Sequence, residues 1–320
     1  MSAAPHETEM FLRRVTRAER IAEDIHLFEL RDPAGAELPA FSAGAHVSVR
    51  VPGGLVRKYS LCNDPAERDR YAIAVKREPS GRGGSESLIR GLVAGAELPV
   101  AAPVNNFALT RSSAGYLFVA GGIGITPIMA MIRELLVTGG HFKLYYCTRS
   151  AAATAFRDEL SALELHGKVT IHHDGGDLTR ALDLWPIVER PQGRHLYCCG
   201  PRGLMQAVRD MTGHWSPSAV HFESFTDAAP RPDDRPFTVR LARSGRTIEV
   251  PVGVTILDAL RAGGLDVPSS CESGTCGTCR TGLIAGEADH RDLVLGDDER
   301  ARNIMVCVSR ARSDELVIDR

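Results

Sequence analysis

The chain has 320 residues, of which 43% are hydrophobic and 24% charged, with a formal net charge of −2. That length accommodates two or three domains with cores of their own, and the near-neutral balance excludes wholesale capture by nucleic acid or an anionic membrane. No apolar run approaches the ~20 residues that span a bilayer, and MSAAPHETEM has neither region of a secretory signal, so a cytoplasmic protein is expected.

The first section carries short alternating runs at Val47–Val51, Arg57–Cys62 and Tyr71–Val75, divided by the turn signals Pro52-Gly53-Gly54 and Asn63-Asp64-Pro65. Short strands with one helical stretch, Ser87–Val93, predict a closed or nearly closed antiparallel β-barrel over residues 1–106. Arg57-Lys58-Tyr59-Ser60-Leu61 sets a cation, a ring and a hydroxyl at one strand end. Ala74-Val75-Lys76-Arg77 follows, and then the loop Gly81-Arg82-Gly83-Gly84-Ser85 before the helix. A guanidinium fork matches phosphate, and a Gly-Gly-Ser turn ahead of a helix adds backbone donors for the same anion. Taken alone, Arg57 and Lys58 also read as a solvated face, with Tyr59 in the core.

Residues 107–226 alternate. Strands at Tyr116–Ala120, Phe142–Cys147, Val169–His172, His195–Cys199 and Val220–Glu223 are separated by helical patterns at Pro127–Val137, Thr154–Leu165, Arg180–Glu189 and Arg202–Met211. This order predicts a parallel α/β sheet. The first strand runs into Gly121-Gly122-Ile123-Gly124-Ile125-Thr126-Pro127, where glycines let a ligand approach the backbone. Thr126 suits the N-cap and Pro127 the first helical position. Pro127 stands where a dinucleotide fingerprint has its third glycine, so a ligand-free tight turn stays open as a reading. The fourth strand ends at Cys199-Gly200-Pro201, which a parallel sheet places at the ligand crevice. Taken alone, Cys199 is a core cysteine, as are Cys62, Cys147 and Cys198.

Residues 227–236 hold prolines and charges with no large apolar side chain and predict an extended linker. Beyond it, residues 237–320 begin with a hairpin, Phe237–Ala242 and Thr247–Val252, turning at Ser244-Gly245. A helix is capped by Thr255 and ends at Gly263-Gly264. Cys271, Cys276, Cys279 and Cys307 have the C-x4-C-x2-C…C spacing of a plant-type [2Fe–2S] loop, the signature of an α+β ferredoxin domain. Zinc more often takes paired C-x2-C units or histidines. Arg291, Asp292, Asp297, Asp298, Glu299, Arg300 and Arg302 form a mixed-sign group that suits either a partner rim or a solvated helix.

In this order, the barrel motif, the glycine loop, Cys199-Gly200-Pro201 and the cysteine loop resemble the phthalate dioxygenase reductase family over essentially the whole chain. These are FMN- and [2Fe–2S]-containing members of the ferredoxin–NADP⁺ reductase superfamily. Asp210–Trp215 and Gly286–Asp292 are similar to that family as well. The resemblance implies electrons moving from NADH through FMN and a [2Fe–2S] cluster to a Rieske oxygenase that attacks an aromatic acid. A demethylating oxygenase or a cytochrome P450 is the alternative client. It further implies FMN held by Arg57, Lys58, Tyr59 and Ser60, lined by Ala74, Val75 and Lys76, with its phosphate on Gly83, Gly84 and Ser85. NADH would follow Gly121, Gly122, Gly124, Thr126 and Pro127, with Thr148 and Arg149 toward its far end and Gly200 and Pro201 at the nicotinamide. Thr126 and Cys199 would adjoin the reacting atoms, and Phe225, after Ser224, would shield the flavin. Members commonly act as monomers. The cofactors carry the chemistry, so no acid–base side chain is required.

Overall fold

The computed structural model describes residues 9–79, 81, 83–225 and 231–320. The chain forms two compact units that divide between His221 and Phe222. The first holds two sheets.

The barrel is built from β1 (Met10–Ala22), β2 (Ile25–Arg31), β3 (Ala45–Arg50), β4 (Val56–Ser60), β5 (Tyr71–Lys76), β6 (Glu97–Ala101) and the short β7 (Val104–Asn105), with helix α1 (Gly84–Gly91) after β5. Strand order is β4-β3-β6-β1-β2-β5, and β7 pairs with β3. An antiparallel bridge between Leu61 and Ile73 joins the outer strands and closes the barrel. Alternation turns Val15, Phe28, Val47, Val49, Ile73 and Val100 inward to one core. β1 is rich in arginine, and its arginines pair with neighbouring acids: the buried Arg13 with Asp32 at 3.0 Å, and the exposed Arg14 with Glu97 at 2.9 Å and Arg17 with Glu29 at 3.2 Å.

The second sheet comprises β8 (Tyr116–Gly121), β9 (Phe142–Thr148), β10 (Val169–His173), β11 (His195–Cys199) and β12 (Val220–Glu223) in the order β10-β9-β8-β11-β12. β10, β9, β8 and β11 run parallel. Intervening helices are α2 (Ile125–Thr138), α3 (Arg157–Leu165), α4 (Trp185–Val188) and α5 (Arg202–Met211). From β8 the chain adds β9 and β10 to one side and then returns to lay β11 on the other, so strand order reverses between β8 and β11 and the switch point lies at their carboxyl ends. Two helices are shorter than expected. Phe156 is left-handed (φ 57°) and delays α3 to Arg157. Pro186 tolerates only a helix's first turn, so the Arg180–Glu189 pattern yields α4 alone. Within this unit α2 ties the sheet to the barrel. Arg133 donates to the carbonyl oxygen of Cys62 and, at 3.0 and 2.6 Å, to the Glu159 carboxylate.

The second unit contains β13 (Phe237–Leu241), β14 (Thr247–Val250), α6 (Ile256–Ala262), β15 (Arg280–Ala285), β16 (Ala288–Asp289), α7 (Asp297–Arg300), β17 (Asn303–Met305), β18 (Arg310–Ala311) and β19 (Glu315–Ile318). Its sheet has the order β14-β13-β19-β15-β17, and β16 pairs with β18. α6 buries Ile256, Leu257 and Leu260, and the Thr255 hydroxyl accepts from the Asp258 amide at 3.0 Å, the expected cap. Residues 227–230 of the expected linker lie outside the described residues. All four lysines fall in the first unit: Lys58 and Lys76 on β4 and β5, and Lys143 and Lys168 stacked over Tyr145 and Phe142 at 5.5 and 5.3 Å.

Candidate electron-transfer sites

On β4, period-2 alternation sends Arg57 and Tyr59 to one face and Lys58 and Ser60 to the other. Tyr59 is half-buried, and burial pushes its phenol up to about 12, against the opposing pull of Arg57. A Cβ on Gly84 would stand 2.9 Å from Arg57 Nε, so the guanidinium lies directly against the start of α1. Gly83 caps α1 in the left-handed region (φ 79°) and offers no side-chain acceptor to the first-turn amides. The Ser85 hydroxyl accepts from the Glu78 amide at 3.0 Å. A cation therefore meets amides without a side-chain cap, a donor set that fits a phosphate. Ala74 and Val75 are buried on β5 while Lys76 is exposed. Arg82 of the same loop lies outside the described residues.

At the switch point the loops after β8 and β11 meet backbone to backbone. A Cβ on Gly121 would stand 2.5 Å from Pro201 Cδ, one on Gly200 2.9 Å from Gly121 Cα, and one on Gly124 2.2 Å from the Cys199 carbonyl oxygen. Gly122 needs φ 53°, and its carbonyl accepts from Tyr146 Oη at 3.0 Å, a contact that no sequence motif signals. Thr126 is not the helix cap. A 3₁₀ turn, Gly122–Gly124, leads into α2, Gly124 takes the cap position, and the buried Thr126 hydroxyl donates to the Ile123 carbonyl at 3.0 Å. Pro127 falls in the same first turn, where its missing N–H leaves no helix bond unmade. Cys199 is 0% exposed and belongs to the core. At the end of β9, Thr148 Oγ1 is 2.8 Å from His173 Nδ1, and the Arg149 side chain is exposed. β5 of the barrel packs beside the Gly122–Gly124 turn, which brings the two sets of candidate residues together. A cleft of about 590 Å³, lined in part by Arg70, Arg133, Phe156 and Glu159, involves none of these residues.

Ser224 and Phe225 follow β12 and lie just inside the second unit, with Phe225 44% exposed. In that unit Glu272, Gly274 and Gly277 adopt positive φ (56°, 74° and 84°) and wind residues 271–279 into a tight loop. The amides of Ser273 and Thr275 point at Cys271 Sγ from 3.4 and 3.5 Å, and the Cys271 amide points at Cys276 Sγ from 3.5 Å. Cys279 and Cys307 place their sulfurs 3.0 Å apart. Cys271 is held below the usual thiol range, first by donation from Cys276 and then by the Thr275 side chain and the Ser273 amide, and Cys279 is lowered by Cys307. The thiols thus fall two by two, Cys271 with Cys276 and Cys279 with Cys307. Such a donor set, ringed by amides, fits two irons with two thiolates apiece better than one tetrahedral ion. Arg291 and Asp292, expected on an exposed rim, are instead buried, because they pack beneath this loop: the neighbouring Leu293 amide donates to the Gly274 carbonyl at 2.9 Å.

Three family models match in succession: an oxidoreductase FAD-binding domain over residues 13–109, an oxidoreductase NAD-binding domain over 118–210 and a 2Fe-2S iron-sulfur cluster binding domain over 239–312. The chain is 55% identical over 309 residues to the phthalate 4,5-dioxygenase oxygenase reductase subunit of Pseudomonas putida, covering 96% of this chain and 95% of that one. It is 53% identical to the solved phthalate dioxygenase reductase, a modular structure for electron transfer from pyridine nucleotides to [2Fe–2S], with a TM-score of 0.72 and 97% and 98% of the two chains covered.

This chain belongs to the phthalate dioxygenase reductase family.

Like other members of the phthalate dioxygenase reductase family, it is an oxidoreductase with flavin-, NAD- and [2Fe–2S]-binding domains. Family likeness extends to an intact type IV self-sufficient cytochrome P450 monooxygenase, at 38% identity and a TM-score of 0.70, where this whole chain corresponds to 43% of the larger one. Among the described residues no helix is long and apolar enough to cross a membrane.

Proposed function

We propose that this protein is the reductase component of a Rieske-type aromatic ring-hydroxylating dioxygenase, with phthalate dioxygenase as its first expected client. Residues 1–106 would hold FMN, 107–226 NADH and 237–320 the cluster, with 227–236 as connection. When bound, the flavin converts the two-electron supply of NADH into the single electrons that a [2Fe–2S] cluster takes. The observation that carries this reading is the packing of β5 beside the Gly122–Gly124 turn. A flavin lying on β4 and β5 and a nicotinamide lying on the turn would then share one face.

The chain's own residues bind, orient and exclude water. Arg57 and the first-turn amides of α1 take the FMN phosphate, with Gly83, Gly84 and Ser85 leaving it room. Lys58, Tyr59 and Ser60 on β4 and Ala74, Val75 and Lys76 on β5 flank the rest of the cofactor. Gly121, Gly122, Gly124, Gly200 and Pro201 give NADH a side-chain-free floor. Thr126 keeps the turn in shape, while Thr148 and Arg149 meet the far half of the dinucleotide. Cys199, closed off in the core, reaches a nicotinamide only if the switch point opens. Phe225 acts as the removable shield of the flavin. If Phe225→Ala leaves both nucleotide affinity and hydride-transfer rate as they were, that role is wrong. The protein is expected to work as a cytoplasmic monomer.

The test is NADH-driven oxygen uptake with a purified phthalate oxygenase and phthalate, with cytochrome c reduction as control. Uptake coupled to phthalate hydroxylation supports the reading. Cytochrome c reduction without coupled uptake favours the second reading, a demethylating oxygenase or a P450 as client, for which the likeness to a self-sufficient P450 speaks. Extracting the flavin and weighing it distinguishes FMN from FAD.

A further inference from the structure

Asp292 lies in a charged stretch of the sequence, yet its side chain is 0% exposed. One of its oxygens, Oδ2, accepts from the amides of both Val294 and Leu295, at 3.1 and 2.7 Å. A carboxylate that binds its own backbone two and three residues on folds the chain into a tight turn. His290 Nδ1 stands 3.8 Å from the other oxygen. The entry to the turn is fixed as well, because the Arg291 amide donates to the buried Ser309 Oγ at 3.3 Å, two residues beyond Cys307.

The Leu293 amide of this turn is directed at the cysteine loop, where it donates to the Gly274 carbonyl at 2.9 Å. That carbonyl shares a peptide unit with the Thr275 amide, which points at Cys271 Sγ from 3.5 Å. None of the described peptides is cis, and in a trans peptide the C=O and N–H point in opposite directions. Fixing the carbonyl therefore aims the amide. A donor on the carbonyl also polarises the unit and strengthens its N–H. The amide of Gly274 itself, in the preceding unit, is directed at Cys307, so this one residue borders both pairs of thiols. Gly274 holds φ 74°, and a Cβ there would stand 2.7 Å from Val308 Cγ2 and 3.2 Å from Asp292 Cα. The turn and the loop thus meet closely, with no room for a side chain between them.

We propose that Asp292 is a positioning residue for the iron–sulfur cluster: through Leu293 and the Gly274–Thr275 peptide it aims an N–H at the Cys271 sulfur and so raises the cluster's reduction potential. This rests on the assignment of the four cysteines to a [2Fe–2S] cluster. Hydrogen bonds to cluster sulfurs are among the levers that set such potentials, since an N–H stabilises the more negative, reduced state. The carboxylate's own charge acts in the opposite sense, so the role of its oxygen is separated from that of its charge by comparing two neutral replacements.

The experiment uses the full chain with flavin and cluster in place and compares Asp292→Asn with Asp292→Ala. Cluster potential is read by redox titration, the reduced cluster by electron paramagnetic resonance, and cluster loss by its rate in the presence of an iron chelator. Both replacements remove the charge, but only Asn keeps an oxygen for the Val294 and Leu295 amides. The Ala variant is expected to reduce less readily than the Asn variant by about five-fold in the equilibrium constant, or about 40 mV for one electron. Its resonance signal changes and its cluster is lost faster, while the Asn variant keeps the parent's signal. Equal potentials and equal signals in the two variants overturn the proposal. Should the Ala variant not retain its cluster, amide hydrogen exchange in the parent and the Asn variant decides instead. The Leu293 amide is expected to exchange slowly in both, and exchange as fast as that of a solvated loop overturns the proposal. A parent protein that carries no [2Fe–2S] cluster overturns the cluster assignment itself.

Discussion

A methyl group at Gly124 would lie 2.2 Å from the Cys199 carbonyl oxygen and 2.7 Å from the Gly200 nitrogen, both backbone atoms that cannot step aside cheaply. Gly124→Ala should therefore cost about 1–3 kcal/mol, as overpacked sites do, and pry apart the two loops at the switch point. Denaturant unfolding and NADH titration check this, and unaltered values in both would exclude the tight contact. His221 offers a different kind of test. Its ring lies against Tyr197 at 4.3 Å and its Nε2 is 3.0 Å from His195 Nδ1. Burial first, and His195 second, push its imidazole from the ordinary 6.5 down to about 4. The folded chain keeps the ring neutral where the unfolded chain takes a proton, so this group's contribution is complete above about pH 6.5 and is lost as pH falls toward about 4. His221→Phe keeps the stacking and removes the titration. Its melting temperature should fall less than the parent's across that window. At this scale cysteine spacing and glycine loops were legible, because their chemistry is local. The role of Thr126 was not: the 3₁₀ turn that moves the helix start depends on backbone contacts with Cys199 and Pro201, far along the chain.

Among the elements, α2 carries the junction between barrel and parallel sheet. Arg133 projects from it to a barrel carbonyl and to Glu159 of α3, and its side chain is largely buried. Arg133→Ala breaks charge-assisted hydrogen bonds and should cost about 2 kcal/mol. The loss is expected as a lower melting temperature, while the absorption of the iron–sulfur module, built on a separate core, is unchanged. A melt identical to the parent's would mean that α2 docks by its apolar face alone. The alternation of strands and helices was plain in the sequence, since buried parallel strands are nearly continuous apolar runs. β1 was not, because four arginines interrupt its thirteen residues. They read as polar coil until their partners Asp32, Glu97 and Glu29 are seen on neighbouring strands. The helix expected at Arg180–Glu189 failed for a local reason, Pro186, that the composition already contained.

For the molecule as a whole, two separable electron-handling halves predict separable failures. Cys307→Ser removes a sulfur from the Cys279–Cys307 pair and should abolish the cluster's visible absorption and cytochrome c reduction, while NADH still bleaches the flavin. Loss of both activities together would show that the halves do not work independently. Asp234, whose buried carboxylate is clamped by Arg291 and approached by Arg310 Nε at 3.7 Å, adds a pH term of its own. Arg291 first, and then the Arg231 amide and Arg310, hold its carboxyl below the usual range against the cost of burial. Its contribution is therefore present above the ordinary carboxylate pKa and is lost as pH falls below it. Module order and cysteine ligation could be read from the chain because each rests on residues close in sequence. The clamp joins residues 234, 291 and 310, and no spacing announces it.

The placement of the lysines bears on how the oxygenase's footprint can be mapped. Residues 222–320 contain none. A lysine-directed crosslinker or label reports on β4, β5 and the parallel sheet, and it passes over the whole iron–sulfur module. What can be coupled there is carboxylate: Asp297, Asp298 and Glu299 stand together on α7, beside Arg300. Carbodiimide coupling of these carboxylates to amines of the oxygenase is the chemistry that would show whether the partner docks on this module.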